Sequence, residues 1–382
     1  MRILLVNRYY GGQHVPTGRM LQDLGAELSR RGHEVVVWTS TSTYVASDTT
    51  TSGEGQVTVR RLWTGGSRRL VSWLLFWLQV CVRIPLARWD RCVVLTDPPF
   101  MIVAAWLAHL FGRRKGIYWW TMDLYPESLV AHGMVRARGG LHQLLTQLNE
   151  LGLQSAAGII CLGDRQRQHL TEYRNFRDSA NFCCVVPPWD HRPIARVEPA
   201  NNRLRTRHGW EGKRIALYAG NLGEAHCFGE LLDAARECLR RGDSDWVFVF
   251  VVRGRRKTEL EAESGALPNV TVLDYQPPEM TADVLWAADV HVITMSEGWE
   301  GVVVPSKLYG VLETDAPVLF IGPADADTGR EISAYDAGEI LPLGCGGAEI
   351  VQTLEELCRR PRTTRTPARD GPARVASFVC GQ

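Results

Sequence analysis

The chain opens on a short β-rich apolar run, RILLV (Arg2–Val6), followed by a glycine-bearing loop, NRYYGGQHVPTG (Asn7–Gly18). Apolar residues then recur at helical spacing (Met20, Leu21, Leu24, Leu28) until Gly32 stops the pattern and EVVVW (Glu34–Trp38) starts a second strand. Strand, loop, helix and strand make a βαβ unit, and strands apolar throughout imply a parallel sheet covered on both faces. The pattern repeats. CVVLT (Cys92–Thr96) ends on two prolines, and a helix is predicted over Met101–Phe111, a strand over Gly116–Trp120, a long helix over Leu141–Ala157 and a strand over Gly158–Gly163. CCVVPPWD (Cys183–Asp190) closes this half, and residues 191–212 turn polar and rich in Arg and Asn, as a linker does.

The same grammar then restarts: RIALYAG (Arg214–Gly220), a helix over Phe228–Arg240, WVFVFVV (Trp246–Val252), a helix over Lys257–Glu263, VTVL (Val270–Leu273), VHVIT (Val290–Thr294) and PVLFIG (Pro317–Gly322). The expected architecture is α/β, with two Rossmann-like doubly wound domains facing each other across a cleft. The boundaries are 1–190, a linker over 191–212, a second domain over 213–358, and an Arg-rich mobile tail over 359–382 with a short docking helix near Val375–Val379. Ligands of such sheets sit outside the carboxyl ends of the strands.

Composition narrows the classes. The 382 residues are 45% hydrophobic and 22% charged with a net charge of +1, which argues for a globular protein and against a nucleic-acid binder. Ten scattered cysteines without a CxxC pair indicate neither a zinc site nor a disulfide framework and fit a reducing cytosol. Met1 leads straight into the first strand, so no signal peptide is expected. The strongest apolar run, LVSWLLFWLQVCV (Leu70–Val82), is short of the roughly 20 residues that span a bilayer. Flanked by Arg68, Arg69, Arg83 and Arg88 and carrying Trp73, Phe76 and Trp77, it reads either as a membrane-interface segment or as a buried cleft-wall helix.

At YAGNLGEAH (Tyr218–His226) and VVVPSKLYGVLETDAPVLFIGP (Val302–Pro323) the sequence resembles a retaining glycosyltransferase of family 4. The likeness extends over the opening segment, TDPPF, YWWTMDLYPESLVAHG and YQPPEMTADVLWAADVHVI, which are similar to stretches of the subgroup that builds bacterial surface polysaccharides. The resemblance implies the GT-B architecture. It also implies a nucleoside-diphosphate sugar held mainly by the second domain, a glycan, lipid-linked or small-molecule acceptor, no metal and no cofactor. A peripheral contact with the cytoplasmic face of the inner membrane would suit a lipid-linked acceptor.

Within the second domain, Gly220, Asn221 and Gly223 form a turn between strand and helix where backbone N–H groups approach an anion. His226 is expected at the head of that helix, donating to phosphate or sugar. Glu224 is a poor neighbour for a diphosphate, so cations are sought in Arg255 or Arg256 and in Lys307, which follows Pro305 and Ser306 at a helix start. The family's E-x7-E motif is matched for its first glutamate by Glu300, followed by Gly301, with Glu297 as the fallback. Its second position falls on Gly310, so the ribose carboxylate is missing there, and Glu313 is the nearest substitute on that helical face. On the acceptor side the resemblance implicates Gly11, Gly12 and His14 after the first strand, and Asp123 and Glu127 of MDLYPE. Glu300, His226 and Asp123 are the catalytic candidates, with front-face attack leaving no single base.

Asp243–Asp245 and Asp325–Asp327 both spell DxD, but each lies in a polar connection, where a two-residue pattern recurs by chance. The rival readings are a GT-B sugar-nucleotide epimerase and a catalytically idle nucleotide-sugar-binding partner. A dinucleotide oxidoreductase is disfavoured because no G-x-G-x-x-G follows either domain's first strand.

Overall fold

A computed structural model describes residues 1–11, 15–41, 57–65, 69–112, 116–189, 194–304, 306–363, 365 and 367–381. Gly12, His14, Arg68 and Pro305 lie outside the described residues. The chain divides into two compact units, one comprising Met1–Trp189, Gly301–Val304 and Arg369–Gln382, the other Asp190–Glu300 and Pro305–Ala368.

The first unit runs β1 (Arg2–Val6), α1 (Pro16–Arg30), β2 (Glu34–Ser40), β3 (Val57–Leu62), α2 (Arg69–Arg83), β4 (Arg91–Leu95), α3 (Val103–Leu110), β5 (Ile117–Trp120), α4 (Glu127–Ala131), α5 (Gly140–Ser155), β6 (Gly158–Cys161), α6 (Asp164–Thr171) and β7 (Cys183–Val185). The strands pair in parallel in the order β3-β2-β1-β4-β5-β6-β7. Val57–Leu62 carries no continuous apolar run and was not expected as a strand; it is the sheet's edge, with Thr58 to Arg61 exposed. The predicted core stripe of α1 is buried, with Pro16 at its first turn and Gly32 in the left-handed region just past its end.

The second unit runs α7 (Arg203–His208), β8 (Arg214–Asn221), α8 (Gly229–Arg241), β9 (Trp246–Arg253), α9 (Lys257–Ser264), β10 (Val270–Asp274), α10 (Thr281–Trp286), β11 (Val290–Thr294), α11 (Lys307–Val311), β12 (Val318–Ile321), α12 (Asp327–Ala334), β13 (Gly338–Leu341) and α13 (Gly347–Arg359). Its parallel sheet is ordered β10-β9-β8-β11-β12-β13. The order reverses between β8 and β11, the switch point where doubly wound sheets bind ligands at the strands' carboxyl ends.

The segment read as a linker is structured over its later part. Asn202 caps α7 by accepting from the N–H groups of Leu204 and Arg205, and the buried Arg205 donates to Ala287 O and Asp289. The arginine tail is also held. Arg362 bridges Asp289 and Asp315, and Arg365 donates to Ala316 O. A last helix, α14 (Gly371–Cys380), packs on the first unit, where Phe378 meets Tyr118 edge to face at 5.5 Å and Arg31 donates to Ser377 and to Ala373 O. Charge and proline made this tail look mobile in sequence; the carboxylates and carbonyls that hold it come from distant parts of the chain.

Candidate active site

The turn after β8 is built by close backbone packing. Leu222 donates its N–H to Arg253 O at 2.7 Å, and a Cβ on Gly254 would fall 2.4 Å from Leu222 O, so only glycine (φ +128) lets the two loops meet. Gly220 sits at φ +146, and a Cβ there would lie 3.7 Å from Nζ of Lys307. Lys307 Nζ donates to Tyr218 Oη at 2.7 Å and stands 4.0 Å from the tyrosine ring centroid. Tyr218 in turn donates to Asn221 O at 3.2 Å. Among the described residues no carboxylate pairs with Lys307. It keeps partial solvent access, but the protein around its ammonium desolvates it and pulls its pKa down to about 7, against a smaller opposing influence from Cys227.

His226 completes this group, and its role differs from the expected one. α8 begins at Gly229, so His226 precedes the helix and does not head it. Its Nδ1 is 2.6 Å from Thr294 O. A carbonyl only accepts, so Nδ1 carries the proton. Desolvation, Lys307 and Arg256 drive the imidazole pKa down to about 3, with the Thr294 bond opposing, so the ring is neutral and Nε2 offers a lone pair. It can accept a hydrogen bond from a sugar hydroxyl or a cation; it cannot donate to phosphate.

Of the two arginine candidates, Arg256 reaches this group, donating through Nη1 to His226 O at 2.6 Å and gripping Glu259 at 2.8 Å through Nε and Nη2. It shapes the loop with donors already in use. Arg255 is exposed, with no such contact among the described residues. Asn221 and Gly223 neighbour each other, and Ser306 precedes α11 without capping it through its side chain. α11 is only five residues long, so Glu313 falls in the turn beyond it and not on its face.

The glutamates gather elsewhere. Glu297 and Glu300 line an open hollow of about 490 Å³ at the ends of β11, β12 and β13, walled by Pro323, Ala324, Ile340 and Leu343. Ser296 ties their loop to the β8 turn by donating its N–H to Ala225 O at 2.9 Å and its hydroxyl to Glu224 O. Gly301 does not join them. Its φ of +71 and the 2.6 Å that a Cβ would leave to Arg165 C trace its glycine to backbone packing in the first unit.

In the first unit, Gly11 (φ +69) is buried and donates to Gly18 O, fixing the loop after β1. MDLYPE is held from beneath: Thr96 Oγ1 accepts from the N–H of Met122 and of Asp123, and the buried Gln166 bonds Met122 O, Leu162 N and Thr121. Asp123 projects an exposed side chain. Neighbouring protein and the charge of Asp97 raise its carboxyl to about 6, with His132 opposing. Glu127 accepts from Tyr173 Oη at 2.6 Å through one carboxylate oxygen.

Sequence reading missed Tyr218, because an inward tyrosine in a central strand looks like any core aromatic. Of the two DxD patterns, Asp243 takes Arg214 and the N–H of Asp245, and Asp327 is buried in the first turn of α12. Among the described residues no cluster of three or more His, Cys, Asp or Glu is placed to hold a metal ion.

Residues 17–189 match the family model of the glycosyl transferase 4-like domain. The chain is 22% identical over 377 residues to the probable glycosyltransferase WbjE of Pseudomonas aeruginosa, covering 94% of this chain and 89% of that protein. It is 24% identical over 234 residues to the putative colanic acid biosynthesis glycosyl transferase WcaI of Escherichia coli K12, covering 59% and 55%. Among solved structures, WaaG, a glycosyltransferase involved in lipopolysaccharide biosynthesis, superposes with a TM-score of 0.68 at 14% identity over all of both chains. Anabaena HepE in complex with UDP and glucose superposes with a TM-score of 0.61 at 13% identity, over 99% of this chain and 95% of that one. The two parallel-sheet units and these similarities agree: the chain has the GT-B fold of glycosyltransferases, and its residues 17–189 form a glycosyl transferase 4-like domain.

Proposed function

We propose that the protein transfers a hexose or N-acetylhexosamine from a UDP- or GDP-sugar to an acceptor hydroxyl, with retention at the anomeric carbon and without a metal. The observation that carries the donor side is Lys307, which pairs with no carboxylate among the described residues, beside Gly220 at the switch point of the second sheet. A lysine with no carboxylate partner, next to a glycine that exposes backbone, suits a diphosphate. HepE, of the same fold, holds UDP and glucose.

In this reading Lys307 neutralises charge on the leaving diphosphate as the glycosidic bond lengthens, and electrostatic stabilisation of that kind is usually the largest catalytic contribution. His226 Nε2 accepts from a hydroxyl of the transferred sugar. Glu300, with Glu297 beside it, binds further hydroxyls, and Glu313 remains the candidate for the ribose. On the acceptor side Asp123, mostly ionised at neutrality, orients the incoming hydroxyl through its carboxylate. Retention follows from the family resemblance, as front-face attack in which the leaving phosphate takes the proton. The acceptor is a surface-glycan precursor or a smaller hydroxylated molecule, and ten free thiols suit a reducing compartment.

A panel of UDP- and GDP-sugars tests this. Release of nucleoside diphosphate with transfer, or slow hydrolysis to the α-anomer, is expected for at least one donor. Inversion at C2 without transfer would identify an epimerase, and binding without turnover an idle partner.

A further inference from the structure

Residues 57–89 contain six arginines and no aspartate or glutamate. The structure turns much of this stretch outward. Leu70, Val71, Leu74, Leu78 and Val82 form one stripe along α2, at 76%, 48%, 58%, 45% and 64% exposure, and Leu86 extends it at 71%. The opposite face, Ser72, Phe76, Val80 and Cys81, is buried against the sheet. The helix is therefore not enclosed, and the aromatics that drew attention in sequence are not what it exposes: Phe76 is buried, and Trp77 is half-buried and donates to Phe100 O. The exposed aromatic is Trp63, beyond β3, whose carbonyl accepts from Gln79 on the flank of α2, while Arg83 bonds the same glutamine.

The stripe runs into a pocket. Beyond Leu86, Ala87 and Arg88 join Arg2, Trp38 and Arg60 around a hollow of about 250 Å³. Arg2 is partly satisfied by Glu34 at 3.1 Å. Arg60 and Arg88 are exposed and form no ion pair among the described residues. We infer that this face of the first unit docks on an anionic phospholipid surface, the α2 stripe entering the acyl boundary and a headgroup phosphate seating among Arg60, Arg88 and Arg2.

The combination selects the occupant. Contiguous exposed aliphatic surface of this kind marks an interaction face. An aliphatic helix face with a basic collar and a tryptophan at its margin is the composition that partitions into a membrane interface. Guanidinium groups grip phosphate oxygens through paired N–H donors. A second copy of the chain would bring the same arginines, and the acids beside them, Glu34 and Asp90, already bond Arg2. The inference does not depend on which sugar is transferred.

The test is flotation of the full chain with vesicles of phosphatidylcholine alone and of two parts phosphatidylcholine to one part phosphatidylglycerol. The wild type is expected to float with the anionic vesicles, weakening as salt is raised, and to remain below with the neutral ones. Arg60→Gln and Arg88→Gln should each weaken binding about fivefold, and L74Q/L78Q/V82Q, on exposed positions, should abolish it while leaving thermal unfolding unchanged. Equal partition to both vesicles, full binding by the triple variant, or a dimer that the triple variant disrupts without any vesicle binding would each overturn the inference. Should the triple variant fold poorly, the arginine variants and the salt dependence of the wild type decide it alone.

Discussion

Lys307 Nζ lies 2.7 Å from Tyr218 Oη, and that hydroxyl donates its own hydrogen bond to Asn221 O. The tyrosine thus holds a cation that pairs with no carboxylate among the described residues, and it does so from a fully buried position. Tyr218→Phe keeps the ring and removes the hydroxyl. It should raise KM for the donor about fivefold, the worth of one hydrogen bond, with kcat largely retained. A merely structural role would instead lower the melting temperature and leave KM unchanged.

The pH dependence of kcat/KM should be bell-shaped. Asp123 gains its carboxylate as pH rises through about 6, giving the ascending limb. Lys307 loses its ammonium as pH rises through about 7, and with it the attraction for diphosphate, giving the descending limb. Asp123→Asn should flatten the first limb and Lys307→Arg the second, since arginine stays charged. An unaltered profile in both variants would remove these residues from the reaction.

His226 should act through Nε2 as an acceptor. His226→Asn can still donate to Thr294 O but has nothing at the Nε2 position, whereas glutamine places a polar atom there. The expectation is that glutamine retains activity within a few-fold and asparagine loses about tenfold. Equal losses would mean that the ring only braces the loop.

A stability prediction follows from His291, fully buried in β11 with Thr314 as its side-chain neighbour. Burial, with smaller effects of Arg362 and Arg365, holds it neutral, with its pKa lowered to about 3. The unfolded chain protonates near 6.5, so below that pH the unfolded state binds more protons and stability falls as pH falls. The loss is about 1.4 kcal/mol per pH unit from this residue. Denaturant melts of His291→Gln should show a shallower decline between pH 6.5 and pH 4.

Most of the architecture was legible in sequence because both sheets are parallel and their central strands are continuous apolar runs. Among the strands, what escaped was edge structure. β3 and β13 border their sheets, are short and partly polar, and lack the pattern that burial on both faces imposes. The turn after β8 was legible through its glycines, yet the sequence could not divide the candidate residues around it. Glu300 and Lys307 are close in the chain, but Glu300 lines the hollow beyond β11 while Lys307 reaches back to β8. Nor could it give the tautomer of His226, which depends on a carbonyl in another strand.

The central claim is that Lys307 and its surroundings hold the diphosphate of a sugar donor whose transfer the protein catalyses. Its most direct test is the rate of nucleoside diphosphate release across a panel of UDP- and GDP-sugars for the wild type and for Lys307→Ala, each shown to be folded by its thermal transition. The account predicts turnover of at least one donor by the wild type and a loss of roughly a hundredfold or more in the variant. Turnover of no donor by the wild type, or the same rate without the lysine, would contradict it.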